Sequence, residues 1–289
     1  MKRALPYLLL TPALLFTAFV LCYPLAQNLV NSFRDVGLVQ GAGDWTGLAN
    51  YRHVFADREF WLALRNTAAY ALGGTVLALA GGLAVALLLD RATAGASPLA
   101  TCLLSLPWVI SPVVAGFAWK WMLNDHFGIL NAWLSAAGIV GPGTSWLGNP
   151  RTALLCVMAA RAWQFYPFAM VMFLAGLESI PAEQYEAASV DGATAVRRFL
   201  SITIPNLRPV SSVLALLGVI WSFNDFTMVF VMTRGGPIDA SMVLPVLVRE
   251  FSFVHFDLGK GSALSIVMFA ILALLAGLYL RVLTGRERA

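Results

Sequence analysis

Long apolar stretches alternate with polar segments along the whole chain. A helix that crosses the hydrocarbon core needs about 20 mostly apolar residues, because roughly 30 Å must be crossed at about 1.5 Å per residue. A transmembrane barrel would instead need strands of about ten residues that alternate polar and apolar positions, whereas the stretch 68–89 is continuously apolar. The pattern therefore predicts an all-α polytopic membrane protein with six transmembrane helices, at roughly 7–29, 64–89, 99–122, 153–177, 210–232 and 263–282.

The composition supports a membrane location. Charged residues make up only 12% of the chain and hydrophobic residues 59%, whereas charged residues are about a quarter of a soluble domain. The first apolar stretch is predicted to be a retained span, because no small-x-small cleavage site closes it as in a signal peptide. The net charge of +4 needs no nucleic acid to explain it, because basic residues commonly flank membrane helices.

The basic residues also predict an orientation. An even number of spans places both ends on one side, where Lys2, Arg3 and Arg91 fall in short segments. The opposite loops are longer and carry acidic residues, among them Asp44 and Asp239. Basic residues accumulate in short cytoplasmic segments, so both termini are predicted to be cytoplasmic.

Small residues and prolines inside the spans predict local geometry. The pairs Gly73–Gly74 and Gly81–Gly82 are expected to let helix backbones approach closely. Pro107 and Pro112 remove backbone donors and should kink the third span.

Cysteine and histidine residues suggest no metal site. The cysteines, each inside a predicted span, are interpreted as buried small hydrophobic residues. The histidines lie in predicted outer loops, and neither set has metal-ligand spacing. These residues are Cys22, Cys102 and Cys156, and His53, His126 and His255.

The segment 178–209 looks helical but is too polar to cross a membrane. Ser179 is predicted to cap a first helix, Gly192 to interrupt it, and residues 194–204 to form a second helix ended by Pro205. An apolar stripe across both helices must lie against the membrane helices, another protein, or both. The stripe consists of Tyr185, Ala188, Val196, Phe199 and Leu200.

This segment carries a recognisable pattern. Glu186-Ala187-Ala188, Asp191-Gly192-Ala193, Ile202 and Ile204-Pro205 closely resemble the EAA loop of permease subunits in bacterial binding-protein-dependent ABC importers. The family usually has Leu where Ile204 stands. Further agreement at 47–51, 233–237 and 261–265 extends the resemblance over roughly residues 5–285, and it points to the carbohydrate branch related to maltose and glycerol-3-phosphate permeases.

The resemblance implies one transmembrane domain, 1–289, with a cytoplasmic coupling loop, 178–209, between its fourth and fifth helices. This loop would dock into a groove of a cytoplasmic ATPase through Glu186, Ala187, Ala188, Asp191, Gly192, Ala193, Ile202 and Pro205. The implied partners are a second permease subunit, two ATPase subunits that bind ATP and Mg²⁺, an extracytoplasmic solute-binding protein and the lipid bilayer. The chain itself would bind no cofactor, and the location implied is a bacterial inner membrane.

Polar side chains inside the predicted spans allow two interpretations, since such residues are rare in membranes and usually functional. Asp225 in the fifth span either pairs with Arg161 in the fourth and holds the helices together, or helps to line a translocation path. On the second interpretation, amides and carboxylates meet sugar hydroxyls while aromatic faces meet sugar rings. The path residues would then be Gln164, Trp163, Tyr166, Phe223, Asn224 and Asp225, together with Asn66 and Ser111.

Two other functional classes have weaker support. An ion-coupled secondary transporter should show an inverted repeat and intramembrane carboxylates, but only Asp225 is a plausible ion ligand and no repeat is evident. A membrane enzyme would need a set of catalytic residues or a phosphate-binding motif, and neither appears in the sequence. The sequence therefore predicts a sugar permease subunit whose energy comes from partner ATPases.

Overall fold

The computed structural model describes residues 5–37, 39, 41–92, 98–141 and 143–286. Lys2 and Arg3, on which the predicted orientation partly rests, are outside the described residues. The helices are α1 (Leu5–Asn31), α2 (Ala49–Ala56), α3 (Arg58–Ala92), α4 (Pro98–Val109), α5 (Pro112–Met122), α6 (Ile129–Ala136), α7 (Ala153–Glu178), α8 (Ala182–Val190), α9 (Ala195–Arg198), α10 (Ile204–Phe223), α11 (Thr227–Met232), α12 (Leu244–Arg249) and α13 (Leu258–Arg286).

Two strands and two π-helical turns complete the described elements. The strands β1 (Arg34–Gly37) and β2 (Gly41–Trp45) pair antiparallel after α1. The π turns are Phe199–Thr203, which directly precedes α10, and Glu250–Val254, which directly follows α12.

The all-α membrane class is confirmed. Within the described residues, five helical stretches are long and apolar enough to cross a membrane, and a sixth results if the bent pair α4–α5 counts as one span. That pair is bent by 91° at residues 110–111, where a kink was predicted from the prolines. The bend is sharp because Pro112 begins a new helix and Ser111 before it is extended.

The predicted limits of the fifth span are wrong at both ends. Pro205 does not end a helix: it lies in the first turn of α10, where proline is tolerated, and the chain stays helical from Ala195 to Phe223. The far end stops at Phe223 rather than at 232, so Asn224 and Asp225 lie at a helix end and not inside a span.

The described residues form two compact units, one up to Trp61 and from Leu247 onward, the other from Leu62 to Val246. The single domain 1–289 stays a prediction. In the first unit, the buried amide of Asn50 in α2 donates to the carbonyl oxygens of Ser32 (3.1 Å) and Arg34 (2.8 Å). This amide fixes α2 against the end of α1 and the start of the hairpin.

In the second unit, helix α7 contacts α4, α5, α10 and α11. Fifteen of its residues are buried, which accounts for its largely apolar sequence. One core cluster joins its second half to α3 and α10; its buried members include Ala86, Leu89, Met170, Phe173, Leu177, Leu207 and Leu214.

The predicted close approach through small residues is confirmed at Gly82. A Cβ added there would stand 2.7 Å from Ala169 Cβ and 2.9 Å from the backbone oxygen of Tyr166. Only glycine lets α3 and α7 pack at this distance.

The cysteine prediction is wrong for two of three residues. Cys22 and Cys102 are exposed on the chain and Cys156 is half-buried, and all three are free thiols. Cys22 lies in a part of α1, Leu10–Ala26, where every side chain is exposed although most are apolar. Such a helix face contacts lipid or another subunit rather than this chain's own core.

We expect Gly82→Ala to lower the stability of the detergent-extracted protein by about 1–3 kcal/mol, because the added methyl group must displace α7 backbone atoms. The measurement is the thermal midpoint of the purified chain. Gly277→Ala in α13 is the matched control, because a Cβ there meets no atom within 4 Å. An unchanged midpoint for Gly82→Ala would contradict the close packing of α3 on α7.

Candidate functional site

The polar segment after α7 folds as two short helices around Gly192. The backbone of Gly192 has φ +72°, a conformation that suits glycine and lets the chain turn sharply after α8. Thr194 then caps α9, its hydroxyl accepting from the Arg197 amide at 3.3 Å. The turn at Gly192 was therefore predicted correctly, and so was the start of the second helix.

The predicted cap at Ser179 is wrong. Ser179 closes the end of α7, where its hydroxyl donates to the carbonyl oxygen of Gly176 at 2.7 Å. Pro181 stands at the start of α8 instead, because a residue with its fixed φ and no amide hydrogen loses nothing there.

The residues of the EAA-like pattern divide between two faces. Glu186, Ala187, Asp191 and Gly192 are exposed, whereas Ile202 and Pro205 are half-buried. No residue of α8 is buried. The outward face therefore presents small and acidic side chains around a tight turn.

The predicted apolar stripe divides in the same way. Tyr185 is half-buried and packs against the core cluster, and Phe199 is half-buried. Val196 and Leu200 are 68% and 59% exposed. Tyr185 thus packs on the bundle, whereas the side chains of Val196 and Leu200 are exposed in the isolated chain.

A second group of polar residues is buried in the same unit, on α3, on α7 and just before α11. Arg161 Nε is 3.6 Å from Asp225 Oδ2, and the two side chains are only 11% and 9% exposed. Asp225 Oδ2 also accepts from the buried hydroxyl of Tyr70 at 2.7 Å, and Oδ1 accepts from the Met228 amide at 3.1 Å. The pairing of Arg161 with Asp225 is confirmed as a contact, and it ties α3, α7 and the start of α11 together.

A buried amide marks the break between α4 and α5. Gln164 Nε2 donates to the carbonyl oxygen of Ile110 at 3.0 Å, so α7 supplies a partner to the backbone where the bent helix is open. Gln164 Oε1 is buried and has no hydrogen-bond partner in the structure. A buried acceptor without a partner is costly and calls for a ligand group or water.

Four aromatic rings from three helices meet in one group, whose member Phe165 follows Gln164 in the sequence. Every pair among them has a centroid distance between 5.0 and 5.9 Å. Phe165 is buried, whereas Trp108 and Trp221 are 39% and 38% exposed, so two indoles of the group remain accessible on this chain. We call Trp108, Phe165, Phe168 and Trp221 the aromatic cluster.

The aromatic cluster was not predicted from the sequence. Phe165 and Phe168 are three residues apart on α7 and therefore share a face, which is a local signal. Trp108 and Trp221 lie inside predicted spans rather than at the ends, where interfacial tryptophans belong. The location of two tryptophans inside predicted spans was therefore the second sequence feature that could have indicated the cluster.

The remaining predicted path residues lie in several places. Asn66 donates to the carbonyl oxygens of Asp239 and Ala240, both at 3.2 Å, and holds the loop after α11. Asn224 is exposed, with its amide donating to the Ile220 carbonyl at 3.0 Å.

The aromatic members of that set are similarly dispersed. Trp163 packs edge-on against Trp119, and Tyr166 donates to the Leu104 carbonyl at 3.0 Å. Phe223 is buried, and Ser111 precedes α5 at the break. Their role in a path stays a prediction. Among the described residues, no three histidine, cysteine or acidic side chains are arranged to hold a metal ion.

Comparisons with known proteins agree over nearly the whole chain. The family model described as "Binding-protein-dependent transport system inner membrane component" matches residues 74–288. The chain is 33% identical to the sulfoquinovosyl glycerol transport system permease protein SmoG of Agrobacterium fabrum, covering 99% of this chain and 92% of that protein. It is 34% identical to the trehalose/maltose transport system permease protein MalF of Thermococcus litoralis, covering 99% and 95%.

A solved structure shares the fold. A chain of the bacterial alginate ABC transporter, crystallised in complex with an alginate pentasaccharide-bound periplasmic protein, superposes with a TM-score of 0.81. The two are 20% identical, and the alignment covers 96% of this chain and 93% of that one.

We expect Arg161→Met to destabilise the protein by about 3–5 kcal/mol, because it leaves the Asp225 carboxylate buried without its cation. Adding Asp225→Asn should recover most of the loss, since no charge remains and an amide oxygen still faces Met228. Thermal unfolding of the purified chain measures both variants. The control is Lys260→Gln, which breaks a partly exposed pair with Asp257 and should cost under about 1 kcal/mol. Equal losses for the single and double variants would contradict a charge-pairing role.

Proposed function

The chain belongs to the family of inner membrane components of binding-protein-dependent transport systems, and on this premise we propose that it carries a sugar or sugar-like solute through an ATP-driven importer. Relatives named for sulfoquinovosyl glycerol and trehalose/maltose transport support the carbohydrate class. An ion-coupled secondary transporter is not supported, and both carboxylate oxygens of its single candidate ion ligand, Asp225, are engaged inside the protein.

The observation that carries the solute class is the aromatic cluster, together with the unpaired amide oxygen of Gln164, the residue that precedes its member Phe165. A sugar ring has apolar C–H faces, which stack on indole and phenyl rings, and hydroxyl groups at its edge, which need acceptors. The half-exposed faces of Trp108 and Trp221 supply the first surface, and the buried Gln164 Oε1 supplies an acceptor. The pairing of these two features favours a polyhydroxylated solute over an apolar or an anionic one.

We assign the predicted path residues to two roles. Gln164 and the exposed Asn224 face solute, and the aromatic cluster joins them. Asp225 and Asn66 position the structure instead, because their polar atoms already bind Arg161, Tyr70 and the loop after α11. Trp163, Tyr166 and Phe223 support this arrangement from neighbouring positions on α7 and α10.

The energy enters through partner subunits that bind ATP and Mg²⁺. The exposed face around Glu186, Ala187 and Gly192 suits a docking contact with a cytoplasmic ATPase, because it is tightly turned and has little side-chain bulk. Ala188, Asp191 and Ala193 continue this face, while Ile202 and Pro205 join it to the bundle. ATP then acts by favouring one of two bundle conformations, which requires that the two bind the ATPase pair differently.

The complete importer holds this chain, a second permease subunit, two ATPase subunits and an extracytoplasmic solute-binding protein. The alginate transporter was crystallised with its periplasmic protein, which supports a binding protein here. We call the exposed face around Glu186, Ala187 and Gly192 the coupling face. In the complete importer it lies in the cytoplasm, and both termini lie on the same side of the inner membrane. The loop 233–260 faces outward and contributes to the contact with the binding protein.

The docking role predicts a specific sensitivity at Gly192. Gly192→Val should abolish copurification of the ATPase subunits, because a β-branched residue at φ +72° costs about 1–2 kcal/mol and reshapes the turn. Gly192→Asn should retain more binding, since asparagine tolerates this conformation better.

The matched control is Gly138→Val. Gly138 also has φ +72° and open space around it, but it follows α6 in a loop outside 178–209. We expect that variant to recruit the ATPase normally. Normal recruitment by Gly192→Val would remove the turn from the docking surface.

The proposed function is tested by uptake into proteoliposomes that hold the complete importer and its binding protein. Uptake should require ATP on the coupling-face side and should be unaffected by an ionophore. Trp221→Ala should lower uptake at limiting solute by about threefold to tenfold, the equivalent of one lost aromatic contact. ATPase copurification should not change.

Trp133→Ala is the control for this variant, because Trp133 is 67% exposed on α6 and outside the aromatic cluster. Uptake that continues without ATP and collapses with the ionophore would overturn the importer. Normal uptake by Trp221→Ala would move the solute away from the aromatic cluster.

A further inference from the structure

Helix α8 is held to the bundle by few contacts. None of its residues is buried, and it joins α7 through Ser179–Pro181 and α9 through the turn at Gly192. A helix held in this way follows whatever surface it is bound to unless specific interactions tie it back. The residues that make those interactions therefore decide how its movement reaches the spans.

Two consecutive residues of α8 make hydrogen bonds to the start of the fifth span. The Tyr185 hydroxyl is 2.9 Å from Thr203 Oγ1, and Asn206 Nδ2 donates to Gln184 Oε1 at 3.0 Å. The Tyr185 ring also packs against the core cluster that contains Leu177 and Leu207. The Gln184 bond is exposed to solvent, whereas Thr203 is only 4% exposed, so the Tyr185 bond is the better protected of the two.

Thr203, the partner of Tyr185, lies where the helix is irregular. Thr203 is the last residue of the π turn Phe199–Thr203, and Pro205 follows within two residues. A π turn contains one residue more than a regular turn and is often found at functional positions. A shift of Thr203 therefore changes where α10 begins.

Close packing carries such a shift further into the bundle. Leu207, one turn after Thr203, is 1% exposed, and a Cβ added at Gly176 would stand 2.7 Å from its Cδ2 atom. Helices α10 and α7 thus touch without spare room at the level where α8 is attached. Packed interiors transmit displacement because they are nearly incompressible.

Space exists for the tyrosine itself to move. A cavity of about 180 Å³ adjoins the hydroxyl pair and is lined by Tyr185 and Thr203 together with Leu87, Asp90, Leu177 and Phe199, among others. This space next to Tyr185 and Thr203 leaves the tyrosine ring room to move relative to the span.

We infer that Tyr185 and Thr203 form a latch that transmits movement of α8 to α10. Both are positioning residues: they touch neither nucleotide nor solute, and they set how far a displacement of α8 shifts the start of the span that carries Trp221. The inference rests on the proposed docking of an ATPase at α8. It adds the route by which that docking acts on the solute path.

The latch is tested in the complete importer, reconstituted with its binding protein, by the number of solute molecules imported per ATP hydrolysed. Tyr185→Phe and Thr203→Val each remove one hydroxyl and keep the shape, and each should lower this ratio about fivefold, the effect of one net hydrogen bond. The double variant should fall no further than either single variant, because both remove the same interaction. Thr203→Ser keeps the hydroxyl and should retain the ratio.

Ser189→Ala is the matched control. It removes another α8 hydroxyl, which accepts from Arg198 at 2.6 Å and donates to the backbone carbonyl of Tyr185 at 2.7 Å. Both bonds stay within α8 and α9 and leave the Tyr185 hydroxyl in place, so the ratio should be unchanged. An unchanged ratio for Tyr185→Phe, additive losses in the double variant, or loss of ATPase copurification in the single variants would overturn the latch. Failure of the unmodified chain to recruit an ATPase would instead overturn the proposed function.

Discussion

The structure of the second unit depends on the rule that backbone groups inside a bilayer must find partners within the protein. Water is absent from the hydrocarbon core, so each end of a helix there leaves amide or carbonyl groups that cost several kcal/mol if unpaired. The described residues include two helix breaks that leave openings in the backbone pairing, at Ile110 between α4 and α5 and after Phe223 at the end of α10. Gln164 supplies a donor at the first and Asp225 an acceptor at the second.

Both openings are controlled from one face of α7. Arg161 and Gln164 are three residues apart and so lie side by side on the helix. Arg161 holds Asp225, and Gln164 holds the Ile110 carbonyl. Phe165 follows Gln164 in the sequence and belongs to the aromatic cluster. The Arg161 guanidinium lies 5.6 Å from the centroid of its ring. The polar contacts that close the two openings therefore also fix the position of the aromatic surface to which we assign the solute.

Features of the fold that depend on local sequence could be predicted, and features that depend on distant contacts could not. The apolar lengths located the spans, and Gly82 and Gly192 marked a close approach and a sharp turn, since each follows from the residue itself. The end of α10 was misplaced because Asn224 and Asp225 interrupt an otherwise apolar stretch that looks continuous. The π turn that keeps the chain helical up to the start of α10 is indicated by no propensity. The aromatic cluster is assembled from three helices whose members are up to 113 positions apart, from Trp108 to Trp221.

The two ends of α10 have different attachments, and this difference decides what its movement does. The helix has 20 residues and is therefore about 30 Å long, stiff enough to move as a rod. Near its end, Ser222 Oγ lies 3.4 Å from Arg161 Nε, so this region is anchored to α7 through a charged side chain. Its beginning packs on α7 through Leu207, and its polar contacts there are neutral hydrogen bonds to α8, which are weaker than hydrogen bonds made by a charged group. On the proposed latch, we expect a displacement applied through α8 to turn α10 about its anchored end. Trp221 lies one residue from that anchor, so we expect its indole to change orientation more than position. Such a motion would alter the proposed solute surface and keep the contact between Arg161 and Ser222 at the helix break.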